Sequence, residues 1–105
     1  MKSISVQDLK AKLDAGDDIQ VIDVREAHEV QICSIKGYHI PMGEILERAG
    51  EIKKEIPVVI HCRSGALSAA VITALENNLS LTNLHNLTGG ILAWATEIDT
   101  SLEAY

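Results

Sequence analysis

Cys62 is the side chain in this sequence with the strongest claim to covalent chemistry. It ends the run Val58-Val59-Ile60-His61 and opens the run Arg63-Ser64-Gly65-Ala66-Leu67-Ser68. Three β-branched residues in succession predict a fully buried strand, and the aliphatic stretch Ala69–Leu75 predicts a buried helix. A thiol at such a junction faces free backbone N–H groups and the positive end of the helix dipole. Both stabilise a thiolate and an anion attached to it. A free thiol with a pKa near ~8.5 is mostly protonated at neutral pH, and helix N-termini and cations lower that value by about 1–5 units. The amides from Arg63 to Ser68, the Arg63 charge and the hydroxyls of Ser64 and Ser68 are the donors available. Gly65 permits the backbone angle that closes such a cradle. A buried structural cysteine is the competing reading and the commoner fate of cysteine. Placement between a strand and a Ser/Gly-rich helix start favours the nucleophile.

Other residues of chemical type read differently. His61 immediately precedes the thiol, but successive strand residues point to opposite faces, so packing is expected of it rather than base catalysis. His28 and His39 fall in segments expected at the surface and His85 near a strand end. No pair of them has metal-ligand spacing, and no metal or cofactor is expected. Cys33 reads as a packing residue on a loop, and Trp94 packs a last helix with Ile91, Leu92 and Ile98. Gly89-Gly90 invites comparison with a phosphate loop, but a tight turn before a helix is the better reading.

The remaining elements must position this loop. Ser5 with Asp8 resembles a capping box that opens a helix through Leu13, with Val6, Leu9 and Leu13 on one face. Gly16-Asp17-Asp18 predicts a turn and Ile19–Asp23 a strand. A short helix is expected over Arg25–Ile32, a turn at Gly37 and a short strand over Tyr38–Ile40, stopped by Pro41. Glu44–Lys54 reads as helix, broken near Gly50. Pro57 opens the central strand, Ser64–Asn77 is the longest helix, Leu81–His85 is weakly strand-like, and Ile91–Ile98 is a last helix. Strands alternating with helices predict a parallel α/β sheet covered on both faces. Ligands in such sheets bind beyond the carboxyl ends of the strands, where Cys62 and Asp23 both fall.

Composition narrows the classes. The chain has 105 residues, room for one domain over 1–105, and is 47% hydrophobic with only Trp94, Tyr38 and Tyr105 as aromatics, so its core must be aliphatic. A formal net charge of −6 argues against nucleic acid or an anionic membrane as partner and leaves any anion to be held by the local loop. The opening Met1-Lys2-Ser3-Ile4-Ser5 carries no apolar signal region, and the uncharged run Asn77–Thr96 is too polar to span a bilayer. With two cysteines and an aliphatic core, free thiols and a cytoplasmic location are expected.

Four segments, in order, resemble the rhodanese-like sulfurtransferase family. Ile22-Asp23-Val24-Arg25-Glu26 resembles its first signature, and Ile32-Cys33-Ser34-Ile35-Lys36-Gly37 with Ile40-Pro41 its second. His61-Cys62-Arg63-Ser64-Gly65 resembles its active-site loop. Leu87-Thr88-Gly89-Gly90-Ile91-Leu92-Ala93-Trp94, with Ile98-Asp99 and Tyr105, resembles the ending of one subgroup. That subgroup is the C-terminal domain of molybdopterin-synthase-activating adenylyltransferase/sulfurtransferases. The resemblance implies an α/β domain with a central, mostly parallel five-stranded sheet and helices on both faces. It implies that Cys62 takes a sulfane sulfur from thiosulfate or a persulfide and passes it to a thiol or a ubiquitin-like sulfur-carrier protein. Arg63, Ser64, Gly65, Ala66, Leu67 and Ser68 would form the loop that stabilises the persulfide. Asp23 would tie down backbone near the site and Arg25 would pair with Glu29, all three in supporting roles.

One departure bears on substrate. Many active relatives read C-R-S-G-x-R-S, with a second arginine where this chain has Leu67, and that arginine helps bind anionic donors. Two rivals share the scaffold. A cysteine phosphatase or arsenate reductase would place an arginine six residues after the cysteine, where this chain has Ser68. A non-catalytic interaction module would keep the fold without the chemistry, which the presence of Cys62 opposes and the absence of the second arginine mildly favours.

Overall fold

The computed structural model describes residues 1–105. Five strands, β1 (Lys2–Ile4), β2 (Gln20–Asp23), β3 (Tyr38–His39), β4 (Val58–His61) and β5 (Leu84–Leu87), form one sheet. All pairings are parallel, in the order β1-β5-β4-β2-β3. Four helices connect or flank them: α1 (Val6–Asp14), α2 (Ala27–Ile32), α3 (Ala66–Leu79) and α4 (Gly90–Glu97). A parallel sheet needs cover on both faces, and alternation along β4 supplies it. Val58 and Ile60 join Ile22, Leu84 and the α3 residues Val71, Ile72 and Leu75 in one apolar layer. Val59 points the other way, with Leu87, into Val6 and Leu9 of α1 and Trp94 of α4. Ile60 is fully buried at the centre of the larger layer, so its truncation to alanine would cost about 2–5 kcal/mol.

Local chemistry explains the helix ends. Ser5 caps α1 by accepting from the Asp8 amide at 3.0 Å. Glu26 caps α2 in a reciprocal box with Glu29. That box delays the helix expected from Arg25 until Ala27, freeing Arg25 to fold back on Asp23. Leu13 is 39% exposed rather than sharing the buried face of Val6 and Leu9.

Several sequence expectations are corrected. Glu44–Lys54 forms no α-helix: the segment makes single 3₁₀ turns at Met42–Glu44 and Ala49–Glu51. Gly43 and Gly50 weaken helix propensity, and only Ile45 and Ile52 need to reach the core. Arg48 meanwhile ties the segment together through Glu44 and Glu51. The edge strand β1 carried no alternation to announce it. The last strand is displaced to Leu84–Leu87, because Asn83 is spent bonding the Lys53 and Ile56 carbonyls at 2.8 and 2.7 Å. The third helix begins at Ala66, two residues later than expected, because Gly65 sits at φ 106° as its N-cap.

Topology places the site. From β2 the chain moves outward to β3, and from β4 it moves the other way to β5. The loops after β2 and β4 therefore diverge and leave a crevice at the carboxyl ends of adjacent strands. Asp23 pairs with His61 in register, so the residues that follow them, Val24–Glu26 and Cys62–Ser68, share one rim.

Candidate active site

Cys62 is buried, 2% exposed, at the floor of the loop. Its Sγ lies 3.1 Å from the Gly65 amide, 3.4 Å from the Ser68 amide and 3.3 Å from the Ser68 hydroxyl. Burial pushes the thiol pKa up; the Ser68 hydroxyl and the amides of Ser68, Gly65 and Ser64 more than offset it, and the net shift is downward. The cradle is therefore made of backbone and one hydroxyl.

Two glycines allow it. Gly65 at φ 106° turns its amide inward while starting α3. Gly90 at φ 59° lets α4 approach so closely that a Cβ there would meet the Arg63 carbonyl oxygen at 2.5 Å. From that position the amides of Ile91 and Leu92 donate to the carbonyls of Cys62 and Arg63 at 3.0 and 3.1 Å. The carbonyls are thus held by α4, and the amides that follow are left for the sulfur. Gly89-Gly90 is a tight turn, as expected, with a docking role the sequence did not disclose.

Above the sulfur opens a cavity of about 90 Å³, lined by Val24, Arg25, Glu26, Glu29, Met42, Cys62, Arg63, Ser64 and Leu67. A larger cleft of about 610 Å³ runs between Leu13, Val21, Tyr38 and Lys53, but no cysteine lines it. Leu67 is 57% exposed at the mouth, so it lines the opening rather than packing inside. Ala66 and Ser64 are exposed on the same rim, and Ser68 is fully buried.

Arg63 differs from its sequence reading. It is exposed, and its guanidinium carbon lies 4.8 Å from the centre of the Tyr105 ring, so its charge sits over the mouth rather than on the sulfur.

Asp23, Arg25 and Glu29 do come together, with different partners from those expected. Arg25 pairs with Asp23 through Nε at 3.0 Å and Nη2 at 2.7 Å, and the Asp23 carboxylate also accepts from the Arg25 amide at 3.0 Å. Toward Glu29 it reaches only the carbonyl, at 3.3 Å, while Nη2 holds the Cys33 carbonyl at 2.7 Å. The Glu29 carboxylate instead accepts from the Tyr105 hydroxyl at 2.7 Å, and that hydroxyl accepts from Arg25 Nη1 at 2.9 Å. Burial works against the Asp23 charge, but the hydrogen bonds from Arg25 prevail and hold the carboxyl below its ordinary value.

His61 is fully buried with both ring nitrogens unbonded, and Nε2 is 3.9 Å from Asp23 Oδ2. Burial pushes its pKa down, against the pull of Asp23. Cys33 is buried and unpaired. His39 is half-buried rather than at the surface and bonds the Arg25 carbonyl at 2.7 Å. No three His, Cys, Asp or Glu side chains converge as a metal site would require.

Sequence reasoning missed Asn86, on β5. Its Nδ2 donates to the Gly65 carbonyl at 3.0 Å, and its Oδ1 accepts from the Ser68 hydroxyl at 2.6 Å. The available signal was a polar residue inside a short strand bracketed by Leu84 and Leu87.

A doubly covered parallel sheet with a thiol cradled by amides at its carboxyl edge defines a class. Residues 5–97 match the family model described as Rhodanese-like domain, and the chain belongs to that family. Adenylyltransferase and sulfurtransferase MOCS3 of Drosophila yakuba is 33% identical over 110 residues, covering 97% of this chain but 24% of its own length. YtwF of Bacillus subtilis, a candidate sulfurtransferase, is 38% identical over 98 residues, covering 92% of this chain and 93% of its own. The crystal structure of a rhodanese-like domain protein from Staphylococcus aureus superposes with a TM-score of 0.82 at 33% identity, covering 100% of this chain and 99% of that one. No helix is long and apolar enough to cross a membrane.

Proposed function

We propose that this protein is a sulfurtransferase that carries sulfur as a persulfide on Cys62. The Cys62 thiolate attacks the outer sulfur of a donor, a new S–S bond forms, and the donor leaves as sulfite or a thiolate. An acceptor thiolate then attacks the outer sulfur of the Cys62 persulfide, taking that sulfur and restoring the Cys62 thiolate. The observation that carries the reading is the convergence of the Gly65 amide, the Ser68 amide and the Ser68 hydroxyl on one sulfur beneath an open cavity. The Gly65 and Ser68 amides are fixed by the backbone and stabilise charge on the sulfur without reorganising.

The lining points to the donor class. Glu26 and Glu29 line the cavity with Val24, Met42 and Leu67, and Arg25 is already committed to Asp23. A free dianion such as thiosulfate meets two carboxylates there, whereas a persulfide on a small thiol or a protein meets apolar contacts. Acceptors of the same kind fit, including a ubiquitin-like sulfur carrier, and the sulfurtransferase names of MOCS3 and YtwF support sulfur transfer in general. Phosphoryl transfer is disfavoured because Ser68 replaces the clamping arginine and is buried with its hydroxyl engaged. Two unpaired thiols fit a reducing compartment, the cytoplasm.

The test is intact mass after incubation with thiosulfate or a low-molecular-weight persulfide, followed by acceptor thiol. We expect an adduct of about 32 Da, one added sulfur, discharged by the acceptor, lost in Cys62→Ser and retained in Cys33→Ser. Absence of an adduct from every donor would support the interaction-module reading instead, and an adduct lost only in Cys33→Ser would refute the assignment to Cys62.

A further inference from the structure

Beside the sulfur lies a hydroxyl that serves more acceptors than it has protons. Ser68 Oγ is 3.3 Å from Cys62 Sγ, 3.2 Å from the Gly65 carbonyl oxygen and 2.6 Å from Asn86 Oδ1. A hydroxyl donates once and accepts with its lone pairs. The Asn86 amide orientation is fixed by chemistry: the Gly65 carbonyl only accepts, so the group 3.0 Å away must be Nδ2, and Oδ1 therefore faces Ser68. A carboxamide oxygen only accepts as well. In this arrangement the Ser68 proton is given to Asn86, and Ser68 offers the sulfur a lone pair. That geometry receives an S–H proton and does nothing for a thiolate. Once Cys62 ionises and its proton passes to solvent, the Ser68 hydroxyl must turn from Asn86 to Sγ to donate there, leaving Oδ1 without its donor.

We propose that Asn86 is a positioning residue that decides which atom receives the Ser68 hydroxyl proton, and so holds Cys62 back from ionising until that hydroxyl turns. The same side chain anchors the Gly65 carbonyl, so one residue of β5 both builds the cradle and opposes part of its action. The inference rests on Cys62 being the nucleophile but not on which molecules exchange sulfur with it. The charged groups that face Cys62 are Arg25, Glu26 and Glu29 from the segment after β2 and Arg63 from its own loop. His61 precedes it on β4, facing the other layer. α3, β5 and α4 bring none to the sulfur. All of these stay constant across the variants below.

The experiment is the pH profile of Cys62 alkylation by iodoacetamide in a Cys33→Ser background, which needs neither donor nor acceptor. Asn86→Ala should move the inflection to lower pH by about one unit, the difference between a neutral and a charge-assisted hydrogen bond. Ser68→Ala should move it upward, and adding Asn86→Ala to Ser68→Ala should move it no further. If Asn86→Ala does not fold, Asn86→Val, a strand former with no acceptor, takes its place. A merely structural role, acting through a loosened Gly65, would move the inflection upward, and by the same amount with or without Ser68. Either that result or an unchanged profile in the single variant overturns the proposal. Loss of sulfur transfer with the expected inflections would instead count against the proposed function alone.

Discussion

Tyr105 joins two arginines of different kinds: its ring faces the exposed Arg63 at 4.8 Å, and its hydroxyl receives a hydrogen bond from the buried Arg25 at 2.9 Å. The segment after α4 thereby runs back across the sheet's carboxyl edge and ties the cysteine loop to the loop after β2. A cation over an exposed aromatic face is worth about 0.5–1 kcal/mol, enough to bias where Arg63 points.

The two parts of this contact separate by substitution. Tyr105→Phe keeps the ring under Arg63 but loses the bonds to Arg25 and Glu29, and should lower stability by about 1 kcal/mol while leaving KM for charged donors near its parent value. Tyr105→Ala removes both and should raise that KM by about two- to five-fold, the equivalent of the lost cation contact. Melting temperatures and donor titrations of the pair decide it; equal KM values in the two variants would show that the ring does not position Arg63.

What the sequence disclosed and what it concealed divide along physical lines. The strand before Cys62 and the helix after it were legible because β-branched runs and a long aliphatic stretch are local signals, although the helix starts two residues later than expected. β1 was not, since its three residues are a strand only through pairing with β5. Glu44–Lys54 has helix-forming composition, yet it lies across the larger apolar layer through Ile45 and Ile52 alone, and tertiary placement overrode propensity. The family resemblance implied a pairing of Arg25 with Glu29; Asp23, two residues before Arg25, takes the guanidinium instead because the chain turns sharply between them. Asn86 and Tyr105 touch the site from 18 or more residues away, with no pattern near Cys62 to announce them.

Acid should weaken the fold in two stages. His61 is held neutral by burial, with its pKa pushed below the ordinary 6.5, so below that pH the unfolded chain binds a proton that the folded chain refuses. Stability is therefore lost as pH falls from about 6.5 toward the folded value. Asp23, whose carboxyl is held below 3.8, contributes stability above that pH that is lost as pH falls through its folded value. His61→Leu should abolish the first stage and keep the second. It should cost little at neutral pH, because neither ring nitrogen makes a hydrogen bond. Melting temperature against pH, parent beside variant, reads both stages; a first stage that persists without His61 would assign it to another group.

Leu67 stands where the family resemblance leads one to expect an arginine, and its exposure of 57% settles which consequence to expect from Leu67→Arg. A buried leucine replaced by arginine would leave an unpaired charge inside, at a cost of about 3–5 kcal/mol. At the mouth the guanidinium stays in water, so the melting temperature should move by no more than about a degree or two. The same guanidinium reaches over a cavity that Glu26 and Glu29 otherwise make unwelcoming to a dianion. A charge-assisted contact to an anion is worth about 1.5–3 kcal/mol when fully formed, and solvent screening leaves the lower end. Thiosulfate KM should therefore fall about ten-fold. Turnover from a persulfide on a small uncharged thiol should not change, because the amides of Gly65 and Ser68 act on the transferred sulfur in both proteins. A stable variant with no gain on thiosulfate would show that an arginine at this position does not reach the donor, and that the carboxylates at the mouth set the preference by themselves.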